Sequence, residues 1–253
     1  ASGFFGKEME PDNYEAKRQI GIVQQNVAVF DEFTVYENID YFCGLYINDR
    51  KKRKQLVEEA IAFVGLEDYR KIRPKKLSGG LLRRLNIACG IAHKPRLIIL
   101  DEPTVAVDPQ SRNRILEGIQ ELNRQGATIV YTSHYMEEVE QICSRIAIMD
   151  HGRSIAVGTK EQLTGMIKTG EKVTIEAVVL SEEQLAGIRE LPHVFAVDYQ
   201  NDILTVQCTK ARHNLVRILH CLEEQGTAFG RVYSELPTLN DVFLEITGKQ
   251  LRD

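Results

Sequence analysis

The sequence predicts an α/β protein with a mostly parallel sheet, followed by a smaller α+β domain. Residues 97–100 are consecutive apolar residues, and residues 129–132 form a second run rich in β-branched and aromatic side chains. Short apolar runs of this kind are typical of strands that a parallel sheet buries on both faces. Segments with helical spacing lie between the runs, and this alternation favours a doubly wound sheet.

The composition limits the classes of protein that the chain can belong to. Of the 253 residues, 43% are hydrophobic and 27% are charged, as in globular domains with a substantial core. The net charge of −4 argues against a dedicated nucleic-acid binder, which is usually basic. The five cysteines include no CxxC pair, so we interpret them as core thiols in a reducing compartment. No apolar run approaches the roughly 18 residues of a membrane span.

Capping residues place the helices of the first half. Asp49 is predicted to cap a helix that stops at Gly65, because aspartate accepts a backbone hydrogen bond and glycine tolerates the left-handed conformation. Asp108 and Pro109 are predicted as the N-cap and first residue of a later helix. The other elements are predicted as strands at residues 19–23, 145–149 and 154–157, and as helices at residues 79–93 and 135–143.

The second half has a different rhythm, in which strands and helices follow the order βαββαβ. This order suggests a ferredoxin-like α+β module. We therefore predict one domain at residues 1–165 and a second at residues 166–253. The strands are predicted at residues 173–180, 194–199, 203–208 and 228–233, and the helices at residues 182–189, 211–225 and 239–246.

Polar residues follow both buried strands where they end. Asp101 and Glu102 follow the first strand, and Ser133 and His134 follow the second. The carboxyl ends of parallel strands share one edge of a sheet, which is where ligands bind in open α/β proteins. Residues 78–80 (Ser-Gly-Gly) open a predicted helix, so their N–H groups can face an anion. Together these residues favour phosphate chemistry.

At these positions the sequence resembles the ATP-binding subunits of ABC transporters. Five motifs in the order of the family carry the resemblance: a Q-loop strand at residues 20–25, the signature at 77–80, the Walker B strand at 97–102, the D-loop at 105–108 and the H-loop at 132–134. Five ordered motifs within about 115 residues are far more specific than one short pattern.

The resemblance implies a fold, an activity and partners. The fold is a RecA-like P-loop NTPase sheet, incomplete at its amino terminus, with a helical subdomain at about residues 33–90. The activity is Mg²⁺-dependent ATP hydrolysis by a head-to-tail dimer of ATPase subunits that powers export. The partners are ATP, a second ATPase subunit and a separate transmembrane permease, with no nucleic acid. The location is the cytoplasmic face of the cell membrane, as a peripheral protein.

Four of the motif residues have implied roles around the metal and the γ-phosphate. Asp101 and Gln25 would hold Mg²⁺, and Gln25 would also sense the γ-phosphate. Glu102 would activate the attacking water and His134 would contact the γ-phosphate, which makes these two the catalytic residues. The structural alternative is an acidic strand end that caps the next helix, with a histidine of no special function.

Four further residues would serve the nucleotide of the opposite subunit or the dimer interface. Ser78, Gly79 and Gly80 would approach the γ-phosphate through their small side chains and backbone N–H groups. Asp108 would brace the dimer interface. Ser78 and Asp108 could also act simply as helix caps. Leu81 stands where the family usually has glutamine, which removes an amide contact.

Three other positions depart from the pattern of the family. Gln24 stands where proline is usual, and Ala106 stands where glycine is common, so a positive φ there would be strained. The sequence also lacks G-x-x-x-x-G-K-[ST], because Gly6-Lys7 and Gly248-Lys249 have neither the second glycine nor the following hydroxyl residue. We expect the chain to be a fragment that is inactive alone; a natural chain without a P-loop is the alternative.

Two rival functions remain at this stage. A soluble ABC ATPase of translation or DNA repair would usually show tandem cassettes or a long coiled-coil insertion, and the sequence has neither. A non-catalytic regulatory partner is favoured by the missing P-loop and by Leu81 and Ala106, whereas Glu102 argues for catalysis.

Residues 50–54 are five consecutive cations. A solvated helix start is the ordinary interpretation of such a run. Contact with anionic lipid headgroups is the alternative, because the helical subdomain faces the membrane partner in the family that the sequence resembles.

Overall fold

The computed structural model describes residues 3–4, 7–8, 13–177 and 179–248. The chain forms two compact units, residues 1–142 and residues 143–253. The boundary predicted near residue 165 lies inside the second unit, and the assignment of domains stays a prediction. Residue 178 of one predicted strand, and Gly6 and Lys249 of the two Gly-Lys pairs, lie outside the described residues.

The first unit alternates strands and helices. Its elements are β1 (Gly3–Phe4), β2 (Lys7–Glu8), α1 (Tyr14–Lys17), β3 (Ile20–Val23), α2 (Val35–Gly44), α3 (Arg50–Val64), α4 (Gly79–Ile91), β4 (Leu97–Asp101), α5 (Pro109–Arg124), β5 (Thr128–Thr132) and α6 (Met136–Ile142).

The first unit contains a parallel sheet of order β3-β4-β5, as the sequence predicted. The prediction that both apolar runs are buried holds for β4 but is wrong for β5, whose side chains alternate between exposed and half-buried because β5 is an edge strand of the described sheet. Ile20 pairs with Leu97, and Leu97 pairs with Thr128, so the three strands start level with one another. The side chains of Ile98 and Leu100 are buried in the central strand. Because the strands are in register, their carboxyl ends meet at one edge.

Local capping fixes the helices around this sheet. Asp49 accepts a hydrogen bond from the Lys52 N–H at 2.9 Å, and Gly65 ends α3 at φ +65°, which confirms both predictions. Asp108 caps α5 with Pro109 at its first position, also as predicted. The apolar stripe of α3 is buried in the core: Leu56, Val57, Ala60, Ile61 and Val64.

The second unit begins with a hairpin and continues with the βαββαβ module. Its elements are β6 (Ile146–Asp150), β7 (Arg153–Gly158), α7 (Lys160–Thr164), β8 (Glu171–Ala177), α8 (Glu182–Arg189), β9 (Val194–Gln200), β10 (Ile203–Cys208), α9 (Asn214–Glu224), β11 (Phe229–Glu235) and α10 (Leu239–Thr247). Strands β6 and β7 pair with each other in antiparallel fashion around the predicted turn at His151 and Gly152.

The four-stranded sheet of this unit has the order β11-β8-β10-β9, and all of its neighbours are antiparallel. In terms of the four strands this order is 4-1-3-2, which agrees with the predicted ferredoxin-like module. Asn201 and Asp202 both have positive φ in the tight turn between β9 and β10. The module has a core of its own, built from strand and helix residues that are fully buried: Val173, Ile175, Ile188, Leu204, Val206, Ile218 and Leu222.

No helix in the described ranges is long and apolar enough to cross a bilayer.

We expect residues 166–253 to fold without the rest of the chain, because their core is self-contained and Glu245 of α10 accepts hydrogen bonds from the Lys168 N–H and the Thr169 hydroxyl. Urea unfolding of this segment, followed by circular dichroism, should give one cooperative transition. The matched variant Leu204→Ala should lose about 2–5 kcal/mol of stability, since Leu204 is fully buried. A gradual, non-cooperative loss of signal in the unsubstituted segment would contradict this expectation.

Candidate functional site

Four of the predicted site residues meet at the carboxyl edge of the parallel sheet. Gln25 follows β3, Asp101 ends β4, Glu102 comes next in the chain, and His134 follows β5. The Gln25 side-chain amide donates to Glu102 Oε2 at 2.7 Å. His134 Nδ1 lies 3.2 Å from Glu102 Oε1. Glu102 is therefore held between a residue from each neighbouring strand, as the parallel arrangement predicted.

Thr132 holds the Asp101 carboxylate and the Glu102 backbone. Its hydroxyl donates to Asp101 Oδ1 at 2.6 Å, and the Glu102 N–H donates to both oxygens of Thr132 at 3.1 Å. These bonds hold Glu102 at φ +44°, a left-handed conformation that costs a non-glycine residue about 1–3 kcal/mol. The Glu102 side chain thus stands on a strained backbone, which is common at functional sites.

The donor set at this edge fits a magnesium ion that is held mostly by phosphate and water. Within the described segments, no group of three or more His, Cys, Asp or Glu residues could hold a metal alone. Mg²⁺ is usually bound by one or two carboxylates together with substrate phosphates. Asp101 and Gln25 are both exposed at this edge, where Asp101 Oδ1 accepts from the Thr132 hydroxyl and the Gln25 amide donates to Glu102.

The other four predicted residues form a second group at the start of α4 and α5. The Ser78 hydroxyl accepts from the Leu81 N–H at 3.3 Å and caps α4. A Cβ atom on Gly80 would come within 2.5 Å of the Ser111 hydroxyl and 2.9 Å of Asp108 Oδ2, so only glycine fits there. The nearest atom to a Cβ on Gly79 is 3.9 Å away, which leaves room for a ligand.

Asp108 is held by the first turn of the helix that it caps. Its carboxylate accepts from the Ser111 N–H at 2.9 Å. Hydrogen bonds from the backbone and side chain of Ser111 lower the pKa of Asp108. Asp108 is thus kept ionised at the start of α5, next to Gly80.

Sequence reasoning did not find two buried residues of α4 that hold the Gln25 loop. Arg83 donates to the backbone oxygens of Gln25 at 2.6 Å and Gln24 at 3.2 Å. Asn86 donates to the Gln24 oxygen and accepts from the Ala28 N–H, both at 3.2 Å. Burial lowers the pKa of the Arg83 guanidinium. The only signal in the sequence is that three polar residues, Arg83, Arg84 and Asn86, stand within an otherwise apolar helix.

Sequence reasoning also missed a buried carboxylate next to the His134 loop. Glu138 is 4% exposed, and its Oε2 accepts from the hydroxyls of Thr104 at 2.7 Å, Tyr131 at 2.5 Å and Ser133 at 3.2 Å. Burial and the Glu138 hydrogen bond raise the pKa of Tyr131. Arg112 lies 3.4 Å from the other carboxylate oxygen. Glu138 thus ties β5, α5, α6 and the segment after Glu102 to one another.

Comparison with known proteins places this site in a family. Residues 4–105 match the profile described as ABC transporter. The chain is 38% identical over 243 residues to the linearmycin resistance ATP-binding protein LnrL of Bacillus subtilis (strain 168), covering 94% of this chain and 78% of that protein. It is 32% identical over 240 residues to Nod factor export ATP-binding protein I of Rhizobium sp. (strain N33), covering 93% and 75% respectively.

A further relative and a solved structure agree with these matches. The daunorubicin resistance ATP-binding protein DrrA3 of Streptomyces coeruleorubidus is 30% identical over 249 residues, covering 98% of this chain and 78% of that protein. The structure of cbiO1 from Clostridium perfringens, part of the ABC transporter complex cbiONQ, superposes with a TM-score of 0.56 at 25% identity. That match covers 62% of this chain and 64%, slightly under two thirds, of the solved chain.

The parallel sheet with carboxylates, an amide and an imidazole at its strand ends defines an α/β nucleotide-hydrolysing protein. More particularly, the chain belongs to the family of ABC transporter ATP-binding subunits, whose members are ATPases. This confirms the resemblance that the five motifs carried.

Ala106 provides a test of the D-loop backbone. It has φ +56°, so the strain predicted for a positive φ at this position is present. An alanine in the left-handed conformation costs the folded state roughly 1–2 kcal/mol. Glycine removes this cost but lowers stability by about 0.4–1 kcal/mol, because it gives the unfolded chain more conformational entropy. Because Ala106 is exposed and loses no packing, we expect Ala106→Gly to raise the free energy of unfolding by up to about 1 kcal/mol. Urea denaturation measures this change.

The control for Ala106 is Ala62→Gly in helix α3, which has ordinary helical geometry. This substitution should destabilise the protein by about 0.5–1 kcal/mol. Destabilisation of similar size at both positions would show that Ala106 is not strained.

Proposed function

We propose that the chain is the ATP-hydrolysing subunit of an ABC transporter that drives export through a separate permease subunit. The names of its relatives, which refer to Nod factor export and to linearmycin or daunorubicin resistance, support the direction of transport. A head-to-tail dimer at the cytoplasmic face of the membrane is part of the proposal, because the signature residues face a nucleotide of the opposite subunit in such a dimer.

The observation that carries the proposal is the position of Glu102 between Gln25 and His134. A carboxylate in this place can orient a water molecule and accept its proton during attack on a γ-phosphate. His134 offers the second ring nitrogen as a hydrogen-bond partner for the transferred phosphoryl group. Asp101 and Gln25 would hold Mg²⁺, which when bound neutralises charge on the β- and γ-phosphates.

The second group would act on the nucleotide of the opposite subunit. Ser78 presents a hydroxyl, and Gly79 leaves space for close approach of a phosphate to the backbone. Asp108 is ionised and exposed beside them, in a position to pair with a donor across the interface. Each site would therefore combine the first group of residues from one subunit with the second group from the other, so hydrolysis would require two subunits.

A non-catalytic regulatory partner is the alternative, and Leu81 in the signature is the observation that favours it. A subunit that never hydrolyses ATP has no need for Glu102 in contact with both Gln25 and His134. A mixed dimer of this chain and a catalytically competent subunit separates the two proposals. Its rate of ATP hydrolysis is measured once with Glu102 intact and once with Glu102 replaced.

Glu102→Gln is the direct test of catalysis, made in a form of the subunit that carries a P-loop ahead of residue 1. The amide keeps the shape and the Gln25 contact but cannot accept a proton, so we expect turnover to fall about 10²–10⁴-fold while ATP still binds. The matched control is Glu137→Gln, an exposed glutamate of α6, which should leave turnover unchanged. Wild-type turnover in Glu102→Gln would remove Glu102 from the mechanism.

The 253-residue chain as printed should bind Mg-ATP only weakly and should not hydrolyse it. Its sequence has no P-loop to donate N–H groups to the α- and β-phosphates. Each such charge-assisted bond is worth roughly 1.5–3 kcal/mol, so the lack of three weakens binding by several factors of ten. Isothermal titration calorimetry measures the affinity, with the P-loop-bearing form as the positive control. Low-micromolar binding by the printed chain would contradict the expectation.

A further inference from the structure

The first turn of α3 presents four cations to solvent. Arg50, Lys51, Lys52 and Lys54 are all exposed, and none of them forms an ion pair with any residue in the described part of the chain. Arg53, between them, behaves differently: its Nε lies 2.9 Å from Asp40 Oδ1, and its side chain is 25% exposed. One cation of the run is thus structural, and four are available to an external partner.

The charge of this turn opposes the stability of its own helix. The amino end of a helix carries the positive end of its dipole and is stabilised by acidic side chains. The first turn of α3 contains no acidic residue, and the carboxylates next to it are its capping residue Asp49 and Asp40, which pairs with Arg53. Four cations at this end therefore work against folding, so their presence needs a reason outside the helix.

Exposed apolar side chains lie at the end of α2, the helix that packs against α3. Tyr41 is 44% exposed and Leu45 is 57% exposed, at the end of α2. The ion pair of Arg53 with Asp40 fastens this end of α2 to the first turn of α3. We call the six exposed residues the basic corner: Tyr41, Leu45, Arg50, Lys51, Lys52 and Lys54.

We propose that the basic corner binds the phosphate headgroups of an anionic lipid surface. Consecutive helical residues point about 100° apart, so Arg50, Lys51 and Lys52 diverge and cannot enclose a single phosphate. Diverging cations suit an array of separate headgroups, each attracted by its own electrostatic contact. Leu45 and Tyr41 supply apolar surface at the depth where headgroups meet acyl chains. A nucleic acid backbone offers no such apolar layer.

Co-sedimentation of the 253-residue chain with lipid vesicles tests the proposal, and it needs no nucleotide, so its outcome is independent of the proposed function. Vesicles of phosphatidylcholine with about 30% phosphatidylglycerol should bind the chain, and vesicles of phosphatidylcholine alone should not. Binding should weaken as salt rises, because ions screen the exposed cations.

Charge reversal gives the sharpest readout. In the double variant Lys51→Glu/Lys52→Glu, vesicle binding should fall at least about 25-fold, since each lost basic residue contributes about fivefold and the two new carboxylates repel the anionic surface. The melting temperature should stay the same or rise, because the new glutamates suit the helix end. Lys210→Glu/Arg212→Glu, which makes the same charge change at exposed residues of the second unit, is the matched control and should retain most of the binding.

Several results would overturn the proposal. Equal binding to both kinds of vesicle, or undiminished binding by Lys51→Glu/Lys52→Glu, would remove the basic corner as the contact. Release of the chain from vesicles by millimolar inorganic phosphate would point to a site for a small anion. Equal or tighter binding to a single-stranded oligonucleotide at the same phosphate concentration would point to nucleic acid.

The variant Leu45→Ser tests the apolar contact. It should weaken vesicle binding without changing the dependence of binding on salt. A loss of salt dependence in this variant would contradict the proposed division between apolar and charged contacts.

Discussion

The in-register parallel pairing of β3, β4 and β5 is the constraint on which the candidate site depends. Backbone pairing brings the ends of three strands that are distant in sequence to one edge, and the side chains that follow them meet there. Thr132 then cross-links the ends of β4 and β5 by bonding to both Asp101 and Glu102. A slip of one residue in either pairing would separate Glu102 from Gln25 or from His134.

Helix α4 connects this edge to the signature residues within one chain. Ser78 caps its start, and one to two turns later Arg83 and Asn86 hold the backbone of the Gln25 loop. Gln25 in turn bonds to Glu102. A hydrogen-bonded path therefore runs from the residues that would serve the opposite subunit to the glutamate of this subunit. Because Arg83 is buried and makes these bonds with its charged group, movement of the loop without α4 would leave a buried charge unsatisfied.

Much of this arrangement could be predicted from the sequence, because its signals are local. Apolar runs predicted the strands, capping residues such as Asp49 and Asp108 predicted helix ends, and the five motifs predicted the family. Arg83, Asn86 and Glu138 were missed because their partners are far away in sequence: the bond from Arg83 to Gln25 spans 58 residues, and that from Thr104 to Glu138 spans 34. A buried polar residue becomes meaningful only when its partner is known. No periodicity supplies that information.

The segment from Glu102 to Asp108 shows how the fold can keep a strained backbone. Glu102 and Ala106 both have left-handed conformations, which are unfavourable for residues other than glycine. Between them Thr104 is fully buried and donates to Glu138, which also accepts from Tyr131 and Ser133. Freeing Thr104 would leave a buried carboxylate with one fewer donor, a cost of the same order as the strain itself. The buried network therefore opposes relaxation of the segment, and it keeps Glu102 at the carboxyl edge of the sheet while Asp108 stays at the start of α5.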